Sequence, residues 1–191
     1  LTVPVVVLLA VLTAACAEDV SPAVRVSEVN VSDADLLDEV AEWAHNPAAY
    51  PVEQLATLNP GTYPMELVTA ILGQRIDLEL HHLEFVRRRL DLTDDLRNQA
   101  VSILFNGDMQ TAQRALGGFT DAYRDRYVDA ISEQLAVQDA LGADYSTWRA
   151  DAYREAEVEV SPRYGTWDGA TGQVVPPEGP AQPAGNVSFG A

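Results

Sequence analysis

Met65–Leu90 reads MELVTAILGQRIDLELHHLEFVRRRL, and its periodicity sets the fold class. Val68, Leu72, Ile76, Leu80, Leu83 and Leu90 recur mostly at three- or four-residue steps, which lines apolar side chains along one helix face. Pro64 suits a first helical turn, and Arg87, Arg88 and Arg89 stand where the negative end of the helix dipole favours cations. The stretch lies in a 97-residue run, 65–161, that contains no proline, whereas six prolines precede the run and five follow it. Proline removes a backbone donor and clashes with the preceding turn, so its absence permits consecutive helices.

Further helices are expected on both sides. Downstream, Thr93 with Asp94 and Asp95 caps a helix carrying Leu96, Ala100, Ile103 and Leu104. After the Asn106-Gly107 turn, a short helix with Met109, Ala112 and Leu116 ends at Gly117-Gly118. Thr120 opens a helix to Leu141 with Tyr123, Tyr127, Ala130, Ile131 and Leu135 on one face, closed by Gly142 as a left-handed cap. A last helix runs from about Tyr145 to Ala156 with Trp148 and Ala152. Upstream, Ser32 with Asp33 and Asp35 caps a helix bearing Leu36, Leu37, Val40, Trp43 and Ala44, which Asn46-Pro47 ends. Ala23–Ser27 and Glu157–Ser161 alternate apolar and polar residues. They are expected to pair as two short strands that set Arg25 near Glu157 or Glu159. The fold class is therefore mainly α, a multi-helix domain with two short strands.

Composition excludes several functions. There are 29 acidic against 12 basic side chains, a net charge of −17, and every cation is arginine. Without lysine there is no Schiff-base chemistry and no phosphate-loop lysine. One cysteine, Cys16, makes no internal disulfide and no cysteine-rich zinc site. The acidic balance argues against nucleic acid as a partner.

Val3–Ala15 is apolar and uncharged, and too short for a transmembrane helix. It fits the hydrophobic region of a signal peptide, 1–15, followed by Cys16 and a linker over 16–22. Ala14 and Ala15 before Cys16 resemble a bacterial lipobox, although Thr13 stands where that motif prefers leucine. Acylation of Cys16 would hold the protein on the extracytoplasmic face of the cell membrane. The alternative is a secreted protein cut after Ala17 at an A-x-A-like site. An acidic body is repelled by anionic headgroups, so the lipid and not a basic patch would supply the anchor. At the other end, 169–191 is rich in glycine and proline and is expected to be a disordered tail.

AVRVSEVNVSDADL, the long ELVTAILGQRIDLELHHLEFVRRRLDLTDDLRNQAV and YRDRYVDAISEQLAVQDAL together resemble the N-terminal chaperone domain of SurA-type foldases over 23–168. The ending formed by Val158, Val160, Pro162, Arg163, Tyr164, Gly165, Trp167 and Asp168 resembles the close of actinobacterial SurA-like lipoproteins. The sequence departs from the family at Ser27-Glu28, where an Asn-Gly turn is usual, and no parvulin isomerase module is expected after the helices. The resemblance implies a membrane-anchored holdase that binds unfolded or newly secreted polypeptides. The alternative is a non-catalytic scaffold lipoprotein for one dedicated envelope partner. Peptidyl-prolyl isomerase activity comes third, by family association alone.

No residue is expected to be catalytic, and no metal or cofactor is expected. His81 and His82 point about 100° apart on a helix and do not readily chelate one ion. Arg87–Arg89 either contact anionic headgroups or, beside Asp91, Asp94 and Asp95, form local ion pairs at a helix end. Trp43, Tyr123, Tyr127 and Trp148 are candidates for a peptide groove, against the alternative that helically spaced aromatics belong to a core. Arg163, Tyr164 and Trp167 are expected to dock the tail on the body.

Overall fold

The computed structural model describes residues 22–48, 62–104, 107–177 and 186–188. The expected signal segment and Cys16 lie outside them. The chain is mainly helical with short strands. A hairpin of β1 (Val24–Val26) and β2 (Val29–Val31) leads into α1 (Asp33–Ala44), and β3 (Thr62–Pro64) runs directly into α2 (Met65–Arg88). Then come α3 (Asp94–Leu104), α4 (Met109–Leu116) and α5 (Asp121–Leu141). A single 3-10 turn at Gly142–Asp144 precedes α6 (Tyr145–Glu155). The chain closes with β4 (Val158–Val160), β5 (Thr166–Asp168), β6 (Gln173–Val175) and β7 (Asn186–Ser188).

Local chemistry sets the helix boundaries. The Ser32 hydroxyl accepts the Asp35 amide at 3.1 Å while the Asp35 carboxylate reaches back to the Ser32 amide at 3.3 Å, a reciprocal cap for α1. Asp108 caps α4 through the Gln110 and Thr111 amides, and Thr120 caps α5 through Tyr123. Helix α2 stops at Arg88, before the Leu90 expected from periodicity, because Arg89 turns left-handed at φ 57° and closes the helix.

Two cores meet on α2. One packs β1, β2 and α1 against Leu67, Val68, Ile71, Leu72, Ile76 and Leu80. The other joins Leu78 to Ala100, Leu116, Phe119, Tyr123, Tyr127, Ile131 and Leu135 from α3 to α5. A helix apolar on opposite sides becomes the central element, which the single stripe of its sequence did not show. Ile103 and Met109, expected on apolar faces, are exposed.

The two expected strands pair, as β1 antiparallel to β4. Val24 lies opposite Val160 and Arg25 opposite Glu159, and their side chains form an ion pair at 2.5 Å. The expectation of only two strands is corrected. β2 completes a sheet in the order β2-β1-β4, β5 pairs with β6, and β3 pairs with β7. Strands of three residues carry almost no periodic signal; β1 and β2 pair across a tight turn, as do β5 and β6, whereas β3 and β7 meet across most of the chain. The tail boundary after Asp168 is corrected in the same way. Asp168 accepts the Ala170 amide at 2.9 Å and the Gly172 amide at 2.8 Å, which turns the chain back. β6 then pairs with β5 and buries Val174 against the first core.

Candidate functional site: the cleft between α2 and α5

Arg75 and Glu79, one helical turn apart on α2, join across 2.7 Å. A second carboxylate, Glu39 of α1, lies 3.7 Å from the same guanidinium, and the Arg75 Nε is buried without a hydrogen-bond partner among the described residues. Glu39 is itself buried, and desolvation raises its carboxyl above the ordinary range despite the facing Arg75 and Arg126. On the far wall the Asp129 carboxylate takes Arg97 at 2.7 Å, and Glu133 takes His82 at 2.8 Å across the cleft mouth. Arg126 is exposed and lies 5.2 Å over the Tyr123 ring. These groups, with Leu78 and Ala130 between them, line a cleft of about 390 Å³. It presents separated positive and negative groups around a small apolar patch.

The aromatic candidates divide. Trp43, Tyr123 and Tyr127 come together with Phe119, the Trp43 and Tyr127 rings edge-on at 5.8 Å and the two tyrosines stacked at 5.9 Å. Tyr123 and Tyr127 are buried in the second core and do not line the cleft. Their polar tips are satisfied internally. The Trp43 indole donates to the Tyr123 hydroxyl at 2.6 Å, the Tyr123 hydroxyl donates to Glu39 at 3.2 Å, and Gln74 donates to the Tyr127 hydroxyl at 3.0 Å. Burial pushes both tyrosine hydroxyls up, well above their ordinary titration. Trp148 lies apart on α6, edge-on to His81 at 5.0 Å. It borders a second, polar cleft with Glu84, Arg87 and Arg88.

His81 and His82 point to different surroundings. His81 is fully buried. Its Nδ1 lies 2.7 Å from the Asp77 carbonyl, which only accepts, so Nδ1 carries the proton and Nε2 accepts from the Tyr145 hydroxyl at 3.0 Å. Burial lowers its pKa, and the ring is held neutral. The Asp77 carboxylate is also held, by the Tyr153 hydroxyl at 2.5 Å and by Arg149 at 3.4 Å. Asp77, His81, Tyr145, Arg149 and Tyr153 are thus linked by polar contacts into one cluster. Among the described residues no three His, Cys, Asp or Glu side chains converge as a metal ion requires. Arg87 and Arg88 pair backwards along their own helix and not with Asp91, Asp94 or Asp95: both bond Glu84 at 2.5 Å, which holds that carboxyl below its ordinary range.

Arg163, Tyr164 and Trp167 lie against the body. The buried Tyr164 donates to Asp33 at 3.0 Å, Arg163 pairs with the same carboxylate and covers the Tyr164 ring at 4.7 Å, and the Trp167 indole donates to the Tyr153 carbonyl at 3.1 Å. Sequence reading missed Arg75, Glu79, Arg126, Asp129 and Glu133 as cleft residues. The spacing of Arg75 and Glu79 was a usable signal, whereas the approach of α5 was not. No described helix is long and apolar enough to cross a membrane. No family model, no curated protein and no solved structure matches the chain.

Proposed function

We propose that the chain is a non-catalytic, SurA-like polypeptide-binding protein of the cell envelope, anchored through a lipid on Cys16. It acts as a holdase for unfolded or newly secreted chains. The observation that carries this reading is the α2–α5 cleft, where exposed Arg126 and the carboxylates of Asp129 and Glu133 flank Leu78 and Ala130. A polypeptide offers carbonyls and carboxylates to the guanidinium, amides and basic side chains to the carboxylates, and small apolar side chains to the floor. The dedicated-partner reading is favoured by a different observation. The Tyr123 and Tyr127 rings, which a promiscuous groove would display, are buried.

The test is suppression of aggregation of an unfolded secreted protein by residues 17–191, with Arg126→Glu as the paired variant. Protection that the variant weakens supports the holdase. A pull-down that returns one stoichiometric partner, with no protection at several-fold molar excess, gives the scaffold reading instead. Anchoring is read separately, since Cys16→Ser abolishes detergent partitioning only if that thiol carries the lipid.

A further inference from the structure

The outermost described strand pair joins the start of the domain's central helix to the far C-terminal segment. β7 lies antiparallel to β3, with Thr62 opposite Ser188, Tyr63 opposite Val187 and Pro64 opposite Asn186. We propose that β3 is an acceptor edge for an extended segment of another polypeptide, and that the chain's own Asn186–Ser188 is a placeholder which such a segment displaces.

β3 is fixed by the body: Thr62 and Pro64 are buried, Tyr63 packs on the first core, and the next residue begins α2. Among the described residues β7 is its one strand partner. β7 is joined to the body's last described strand, β6, through 176–185, where four of ten residues are proline. A two-stranded ladder of three residues a side is marginal in water. Tethering to the body adds a high local concentration, on the millimolar scale for a short connection.

A strand partner is recognised mainly through its backbone amides and carbonyls, so the chemistry called for is an extended polypeptide segment, largely independent of sequence. Proline in the incoming strand is disfavoured because it brings no amide donor. The proposal goes beyond the cleft reading and does not depend on it, because β3 and the α2–α5 cleft share no residue.

The experiment uses two labelled peptides: PAGNVSFGA, which is 183–191 of this chain, and an unrelated valine- and threonine-rich nonapeptide. Each is titrated into the full chain, a chain ending at Pro177, and the full chain carrying Val187→Pro. The latter two proteins are expected to bind both peptides about tenfold more tightly than the full chain, since the tethered competitor is gone. Unlabelled PAGNVSFGA should displace the unrelated peptide, and a proline-substituted copy should not. The Val187→Pro chain keeps the full length and guards against misfolding of the truncation. Equal binding to all three proteins, no binding to either variant while its thermal transition is intact, or a dimer in which a second copy's tail occupies β3 overturns the proposal. Arg126→Glu should leave peptide binding unchanged. Loss of holdase activity in that variant with peptide exchange intact separates the two sites.

Discussion

The Tyr164 hydroxyl donates to Asp33 Oδ1 at 3.0 Å, tying the segment after the last helix to the first turn of α1 across 131 positions of sequence. Asp33 also belongs to the acidic first turn of α1, where its charge suits the helix dipole. One carboxylate thus supports the helix start and fixes the returning chain. Tyr164→Phe keeps the packed ring and removes the hydrogen bond, with an expected loss of about 1 kcal/mol. Tyr164→Ala empties a fully buried site and should cost about 3–5 kcal/mol. Urea denaturation of the two variants checks the order. Equal losses would show that the hydroxyl, and not the ring, dominates.

Gly165 has φ +121°, and a Cβ there would fall 1.9 Å from the Val175 carbonyl oxygen. Both the backbone conformation and the close approach demand glycine. Gly165→Ala is expected to cost about 2–4 kcal/mol and to part β6 from the body. Faster amide exchange at 173–175, with exchange in α5 unchanged, is the readout.

Asn46 is fully buried, donates to the Ala115 carbonyl at 2.6 Å and accepts the Ala48 amide at 3.2 Å. Gly118 leaves room for it, since a Cβ at Gly118 would lie 2.4 Å from the Asn46 Oδ1. Gly118→Ala and Asn46→Ala should each destabilise by about 1–3 kcal/mol. The double variant should lose less than the sum, because the clash disappears with the amide. Strict additivity in a double-mutant cycle would contradict the contact.

His81 is buried and neutral, and Asp77, Glu84, Tyr145, Trp148 and Arg149 surround it. Its folded pKa lies below the ordinary 6.5, so the unfolded chain takes up the proton first as pH falls. Stability should therefore drop on acidification from about pH 6.5 downward. His81→Gln should be less stable at neutral pH but lose less over that window. Chemical denaturation midpoints across the range measure the difference.

Glu39 has the opposite sign. Burial raises its folded pKa above the ordinary 4.5, so the folded state binds the proton more tightly and stability falls as pH rises through that raised value. Glu39→Gln removes this cost while Arg75 keeps Glu79 at 2.7 Å. The variant should be as stable as the parent or more so at neutral pH, with a flatter profile just above the ordinary glutamate range. A marked loss at neutral pH would mean that the Arg75 pair outweighs desolvation.

The sequence by itself determined the helices and most of their boundaries, because a cap and an apolar stripe are local properties. Ser32, Asp108 and Thr120 each act within three residues of where they stand. The pairing of Ala23–Ser27 with Glu157–Ser161 was also legible, since alternation and an Arg–Glu match survive in the string. Only the tertiary structure decided which side of each helix faces what. The positions of Leu78 and Glu79 on α2 say nothing of an α5 that places Tyr127 and Glu133 beside them. The placement of Tyr123 and Tyr127 inside the body, the course of β6 and the pairing of β3 with β7 were undecided for the same reason. Each depends on contacts between residues far apart in sequence, whose strength is fixed by burial and partner geometry and not by the residue types alone.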